Sequence, residues 1–257
     1  MLKIFIALSL SLVMLACAQA AELPADFAAG EKRGWFSVKA SPAEIIGAEA
    51  AANFVKGMDA DQDLEFLIYV PESWEPGTPI GLLSYITPRR QAILPAGWGP
   101  ALDETNMIFV ELNRSGNSRR AQYRAYETIL ATYLIANHYP VDASRVYVAG
   151  FSGGGRMASM LAPTYAATFR GAIFICGVNR LDATEEQKAL MRQNRYVFYT
   201  GARDQNRRET RSIFSQYKNE GIENVLLIDD RNATHQTPRG PELIEAIRFL
   251  DGEAEAE

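Results

Sequence analysis

Short runs of β-branched, aliphatic and aromatic residues recur along the chain: Leu64 to Val70, Ile80 to Ile86, Met107 to Leu112, Val146 to Ala149, Ala172 to Cys176, Tyr196 to Tyr199 and Val225 to Ile228. They are almost continuously apolar, and most are bounded by Gly, Pro, Asn or Asp. That is the pattern of strands buried on both faces. Helical patterns separate them from mid-chain onward. Between Arg119 and Tyr139 the residues Tyr126, Ile129, Leu130, Tyr133 and Leu134 recur at helical spacing, and Pro140 ends the run, leaving His138 in its last turn. Arg156 to Leu161 and Glu242 to Leu250 are compatible with helices as well. Strands alternating with helices predict an α/β fold: a mostly parallel twisted sheet with helices on both faces. Upstream, Ser41-Pro42-Ala43-Glu44 has the residues of a capping box with proline at the first helical position, predicting a helix before the core sheet.

The first twenty residues break this pattern. Lys3 precedes an apolar run from Ile4 to Ala16, and Ala18-Gln19-Ala20 supplies small residues at the spacing of a cleavage site. The run is shorter than the ~20 residues of a membrane span, so it predicts a signal peptide over 1–20 and an exported protein, periplasmic or extracellular. Cys17 after Met14-Leu15-Ala16 offers the alternative of a lipoprotein. Residues 21–257 then read as one α/β domain, with its core over about 64–250 and an acidic tail over 251–257.

Charge and composition narrow the chemistry. With 26 basic and 31 acidic residues and a net charge of −5, the whole chain has no bias toward nucleic acid or other polyanions. Arginines do gather locally, at Arg89-Arg90, Arg119-Arg120 and Arg203, Arg207, Arg208; Arg89 and Arg203 lie where they could meet an anionic group of a substrate. Two histidines and two cysteines, in no ligand-like spacing, argue against a zinc site, and no cofactor motif is present. Cys176 stands in an apolar strand and reads as an inert packed thiol away from any reactive centre.

Candidate chemistry concentrates where the strand Val146 to Ala149 runs into Gly150-Phe151-Ser152-Gly153-Gly154. G-x-S-x-G between a strand and a helix forms a turn too sharp for ordinary side chains, and it lifts the serine hydroxyl above the helix start. A phosphate-binding loop would need Lys-Ser or Lys-Thr after the glycines, and neither follows. Ser152 is therefore the candidate nucleophile. His138 reads as a helix-terminal residue, whereas His235 lies in a polar loop before the last helix, placed to act as base. The acid belongs between Ser152 and His235 in chain order. Asp204, just past the strand Tyr196 to Tyr199, leads; Asp182 is the alternative, while Asp229 and Asp230 are too close to His235 in sequence. An oxyanion needs two N–H donors: Gly153 supplies one, and Arg89 or Thr87 the other, because Pro88 has none.

The stretches Arg145 to Ala158, Thr200-Gly201-Ala202-Arg203-Asp204 and Thr234-His235 resemble, in matching order, secreted bacterial α/β-hydrolases of the polyhydroxybutyrate depolymerase and feruloyl esterase type. The resemblance implies the α/β-hydrolase fold and a triad of Ser152, Asp204 and His235. Many such esterases have a His-Gly pair after the third strand, where this chain has Thr87-Pro88. The expected activity is hydrolysis of small-molecule or polymeric carboxylic esters through an acyl-enzyme, without metal or cofactor. A peptidase or amidase on the same triad, and a non-catalytic binding protein retaining the fold, are the alternatives.

Overall fold

The computed structural model describes residues 23–253 apart from 55, 56 and 58. The segment over 1–20, Cys17 included, lies outside the described residues, as does most of the acidic tail. In chain order the elements are α1 (Ala25–Ala28), β1 (Gly34–Ala40), α2 (Pro42–Ile46), α3 (Ala48–Phe54), β2 (Leu64–Val70), β3 (Ile80–Ile86), α4 (Trp98–Glu104), β4 (Met107–Leu112) and α5 (Ala121–His138). There follow β5 (Val141–Phe151), α6 (Gly153–Thr164), β6 (Gly171–Ile175), α7 (Glu185–Met191), β7 (Arg195–Gly201), α8 (Arg207–Asn219), β8 (Val225–Asp230) and α9 (Gly240–Asp251).

Among the described residues the strands form one eight-stranded sheet in the order β1-β2-β4-β3-β5-β6-β7-β8. From β4 through β8 every pairing is parallel, while β1 on β2 and β2 on β4 are antiparallel. Crossover of β3 and β4 in the order places the carboxyl ends of β3 and β5 side by side, in register from Leu82↔Val146 to Ile86↔Gly150. In an open sheet of this kind the crevice at the strand carboxyl ends is where ligands bind.

Both faces of the sheet are packed, and this explains the near-continuous apolar runs. One core joins Leu82, Val148 and Phe174 to Leu130 and Leu134 of α5, Leu161 of α6 and Tyr217 of α8. The other joins Leu83, Ala149, Ile173 and Val197 to Trp98 and Leu102 of α4 and to Leu243, Ile247 and Leu250 of α9. Strand β1 is an addition to the expected elements. Its apolar residues do not alternate cleanly, and it is held by its antiparallel register with β2. The capping box at Ser41 forms as expected: Glu44 N–H donates to the Ser41 hydroxyl, and Ser41 N–H donates to the Glu44 carboxylate. His138 is the last residue of α5, its ring tilted against Phe27 at 4.8 Å.

Candidate active site

Strand β5 runs directly into a turn at Ser152, whose φ of 55° lies in the left-handed region. A serine there carries backbone strain, which persists only where the surroundings hold it. The neighbours do so. Ser152 N–H donates to the Ile175 carbonyl at 2.7 Å and Arg156 N–H donates to the Ser152 carbonyl at 3.1 Å. A Cβ at Gly150 would strike the Gly154 carbonyl, and one at Gly154 would strike the Ile86 carbonyl. The glycines of the motif are thus places where β5, β3 and the start of α6 touch through backbone.

The turn presents the Ser152 hydroxyl 3.0 Å from His235 Nε2, and His235 Nδ1 lies 2.8 Å from Asp204 Oδ1. Each member comes from a different part of the sheet: the end of β5, the loop past β7 and the loop past β8. A carboxylate can only accept, so Nδ1 carries the hydrogen and Nε2 is left to accept the Ser152 O–H. The Phe151 ring packs against the imidazole at 4.9 Å between centroids and limits its rotation.

Asp204 is buried, 6% exposed, and held from several sides. Asn206 N–H donates to Oδ1 at 3.0 Å, and the Thr200 hydroxyl donates to Oδ2 at 3.0 Å. Burial pushes its pKa up, but Asn206 N–H, His235, Cys176 and Thr200 together outweigh burial and hold the carboxyl below its ordinary value. Asp182, the alternative acid, is exposed and makes no hydrogen bond to His235. Asp229 pairs with Arg207 and Arg211, and Asp230 accepts from Tyr199.

Three comparisons with known proteins bear on this arrangement. Residues 110–232 match the model of the prolyl oligopeptidase family. No curated protein matches the chain. Among solved structures, a ferulic acid esterase is similar with a TM-score of 0.59 at 14% identity, over 85% of this chain and 99% of that one. An esterase from Thermogutta terrifontis follows at 0.54 and 18% identity, over 78% and 91%. Dipeptidyl peptidase 4 from Porphyromonas gingivalis gives 0.58 and 14%, over 86% of this chain but 36% of that one. The eight-stranded, mostly parallel sheet agrees with these matches. The chain has the α/β-hydrolase fold.

On this fold the candidate oxyanion donors are unequal. Gly153 opens α6, so its N–H is one of the first-turn donors that lack a helical partner. Arg89 N–H donates to the Thr87 hydroxyl at 3.2 Å, and Thr87, 4% exposed, lies in the buried layer beside Glu111. Of the two loop candidates Arg89 is the more exposed residue, with its N–H turned to the Thr87 hydroxyl.

One expectation is corrected. Cys176 is packed, as its apolar neighbours suggest, but it is not remote. Its thiol donates to the Gln236 carbonyl at 3.3 Å and abuts Asp204. A sulfur, a carboxylate oxygen and a ring nitrogen of Cys176, Asp204 and His235 lie within 4.8 Å of one another, a set that could ligate a metal ion. Burial and the adjacent Asp204 carboxylate push the Cys176 thiol well up, which disfavours the thiolate that a nucleophile needs.

Sequence reading missed the side chains that hold the loops around the serine. Arg124 of α5 is 5% exposed; its guanidinium donates to the carbonyls of Ser115 at 2.8 Å and Thr87 at 2.9 Å and to Asn117 Oδ1 at 3.3 Å. The Asn117 carboxamide in turn fills the space beside Gly153 that a Cβ would need. One available signal was a charged residue on the same side of the helix as Leu134 and Ile135.

Glu111 of β4 is the second such group, 1% exposed beneath the loop that follows β3. Its Oε2 accepts Ile93 N–H at 2.8 Å, while Oε1 has no hydrogen-bond partner among the described residues. Burial pushes its pKa up to about 8, against the opposing pull of Ile93 N–H, the Thr87 groups and the Arg89 charge. Unfolding returns it toward an ordinary carboxyl value, so between roughly pH 4.5 and 8 the folded chain holds a proton that the unfolded chain does not. Its contribution is therefore present in full below that window and lost as pH rises through it. Glu111→Gln removes the titration. The stability of Glu111→Gln relative to wild type, followed through the two thermal midpoints, is expected to climb from pH 5 to pH 9, toward an upper limit on the order of 4 kcal/mol. Parallel pH–stability curves for the two proteins would contradict the assignment.

Proposed function

We propose that the chain is an exported serine carboxylesterase that works through an acyl-enzyme without a cofactor. The observation that carries this reading is the hydrogen-bonded series Ser152 Oγ, His235, Asp204, at 3.0 and 2.8 Å, on a strained turn at the carboxyl end of the sheet. As Ser152 Oγ attacks the ester carbonyl, its proton passes to His235 Nε2. The imidazolium that forms is stabilised by the Asp204 carboxylate. The carbonyl oxygen, now an anion, receives Gly153 N–H at the positive end of α6 and, from the opposite loop, Arg89 N–H once it leaves the Thr87 hydroxyl. His235 then returns the proton to the departing alcohol, and a water repeats the sequence to free the acid. Export rests on the pattern over residues 1–20.

An ester is favoured over a peptide because the two esterases are matched over nearly their whole length, the dipeptidyl peptidase over about a third. The prolyl oligopeptidase match supports the second reading, a peptidase on the same residues. Turnover of 4-nitrophenyl acetate and butyrate set beside peptide 4-nitroanilides separates them, with Ser152→Ala as control. Ser152-dependent ester hydrolysis far exceeding anilide hydrolysis is expected. Anilide turnover alone would transfer the site to peptides, and no turnover of either would leave a binding protein.

A further inference from the structure

A cleft of about 730 Å³ opens beside the oxyanion loop, lined among others by Arg89, Arg90, Arg114, Glu65, Leu67 and Ile93. Its size is that of a small-molecule site. Part of its lining is the β1–β2 end of the sheet, where Ser37 and Leu67 are partners in register and Leu67 is only partly covered. Trp35, two residues from Ser37 along β1, is 45% exposed, and Ile93 across the cleft is 50% exposed.

The rim is cationic and built. Arg114 N–H donates to the Arg90 carbonyl at 2.7 Å, Asn117 N–H to the Pro88 carbonyl at 3.0 Å, and Ala92 N–H to Asn113 Oδ1 at 3.2 Å. Arg114 holds a left-handed φ of 62° to make this join. None of the side chains of Arg89, Arg90 and Arg114 forms a hydrogen bond or ion pair with a described residue. The lining acid, Glu65, has Oε2 occupied by Asn113 Nδ2 at 2.6 Å. A chain of net charge −5 thus sets three guanidiniums that make no side-chain hydrogen bond to a described residue around one small apolar surface, Arg89 also acting on the Glu111 carboxyl.

We infer that this cleft binds a carboxylate carried by the ester substrate, an inference that rests on the esterase reading. Guanidinium forks match the planar carboxylate in two-point hydrogen bonds, and Leu67 and Ile93 take the apolar body that joins it to the ester. The lining of the cleft includes none of Ser152, Asp204 and His235. It approaches the reacting end of the sheet through Arg89, which follows the Thr87-Pro88 turn, and Ile86 at the root of that turn packs its carbonyl on Gly154 just past Ser152.

Matched esters test this. On the acyl side, 4-nitrophenyl hydrogen glutarate is compared with 4-nitrophenyl pentanoate. On the alcohol side, 4-carboxyphenyl acetate is compared with 4-carbamoylphenyl acetate. In at least one pair the anionic ester should have the higher kcat/KM, by about tenfold. Arg90→Gln with Arg114→Gln should collapse that ratio, and Lys218→Gln on α8, with a charge change of the same sign elsewhere, should keep it. Arg90→Gln alone gives the same reading, in smaller amount, if the double variant is unstable. Neutral esters hydrolysed through Ser152 with no anionic preference in either pair, or a preference that survives the double variant, would overturn the carboxylate site alone. Failure to hydrolyse any of the four would overturn the esterase reading and this inference with it.

Discussion

Asp204→Asn is expected to lower kcat for a 4-nitrophenyl ester by about 10³ to 10⁴, the loss that the wrong imidazole tautomer brings to a Ser-His-Asp site. Asp204 receives His235 Nδ1 at 2.8 Å, Asn206 N–H and the Thr200 hydroxyl. An asparagine carboxamide can satisfy only part of this set. Presenting its N–H₂ to Nδ1 moves the ring proton to Nε2, which can then no longer accept from Ser152. The same carboxyl at Asp182 is exposed and touches none of these groups, so Asp182→Asn should change kcat by less than about twofold. A steady-state comparison of the two variants decides the acid, and the reverse ranking would move it to Asp182.

A comparably large effect is expected away from the reacting atoms. Arg124→Met leaves the carbonyls of Thr87 and Ser115 without their donor in a buried layer and releases Asn117 from its place against Gly153. Stability should fall on the order of 3 kcal/mol by urea denaturation, since buried acceptors lose their partners. Because Arg124 holds both the Thr87 loop and the turn after Ser152, kcat should fall as well, by about 10² for a displacement near 1 Å. Arg124→Lys keeps the charge but not the fork, and should recover little of either. Wild-type stability and kcat in Arg124→Met would show that the loops are held by other means.

The contrast between Arg124 and the triad shows how far the chain can be read without coordinates. Strands β3, β4, β6 and β7 announce themselves because both faces are covered, so nearly every residue is apolar, while β2 and β8, only partly covered, still show as short apolar runs. β1 does not, because one of its faces stays open at Trp35 and Ser37, and its place depends on a register with β2 that no local pattern encodes. Ser152 was legible because its turn demands small residues at fixed positions, and His235 because histidines are so few. Cys176 shows the limit. Its strand was plain, but its contact with Asp204 follows from the parallel register of β6 with β7, which brings Ile175 beside Tyr199. The choice between Thr87 and Arg89 as the candidate oxyanion donor was not legible, since the two differ in burial rather than in any feature of their order along the chain.

The central claim is that His235 activates Ser152 as a nucleophile, and covalent labelling tests it most directly. Wild-type protein treated with a fluorophosphonate should gain the mass of one adduct, and peptide mapping should place it on Ser152. Ser152→Ala should gain none, and His235→Ala should react far more slowly. Labelling that persists in Ser152→Ala, or folded wild-type protein that never reacts, would contradict the account.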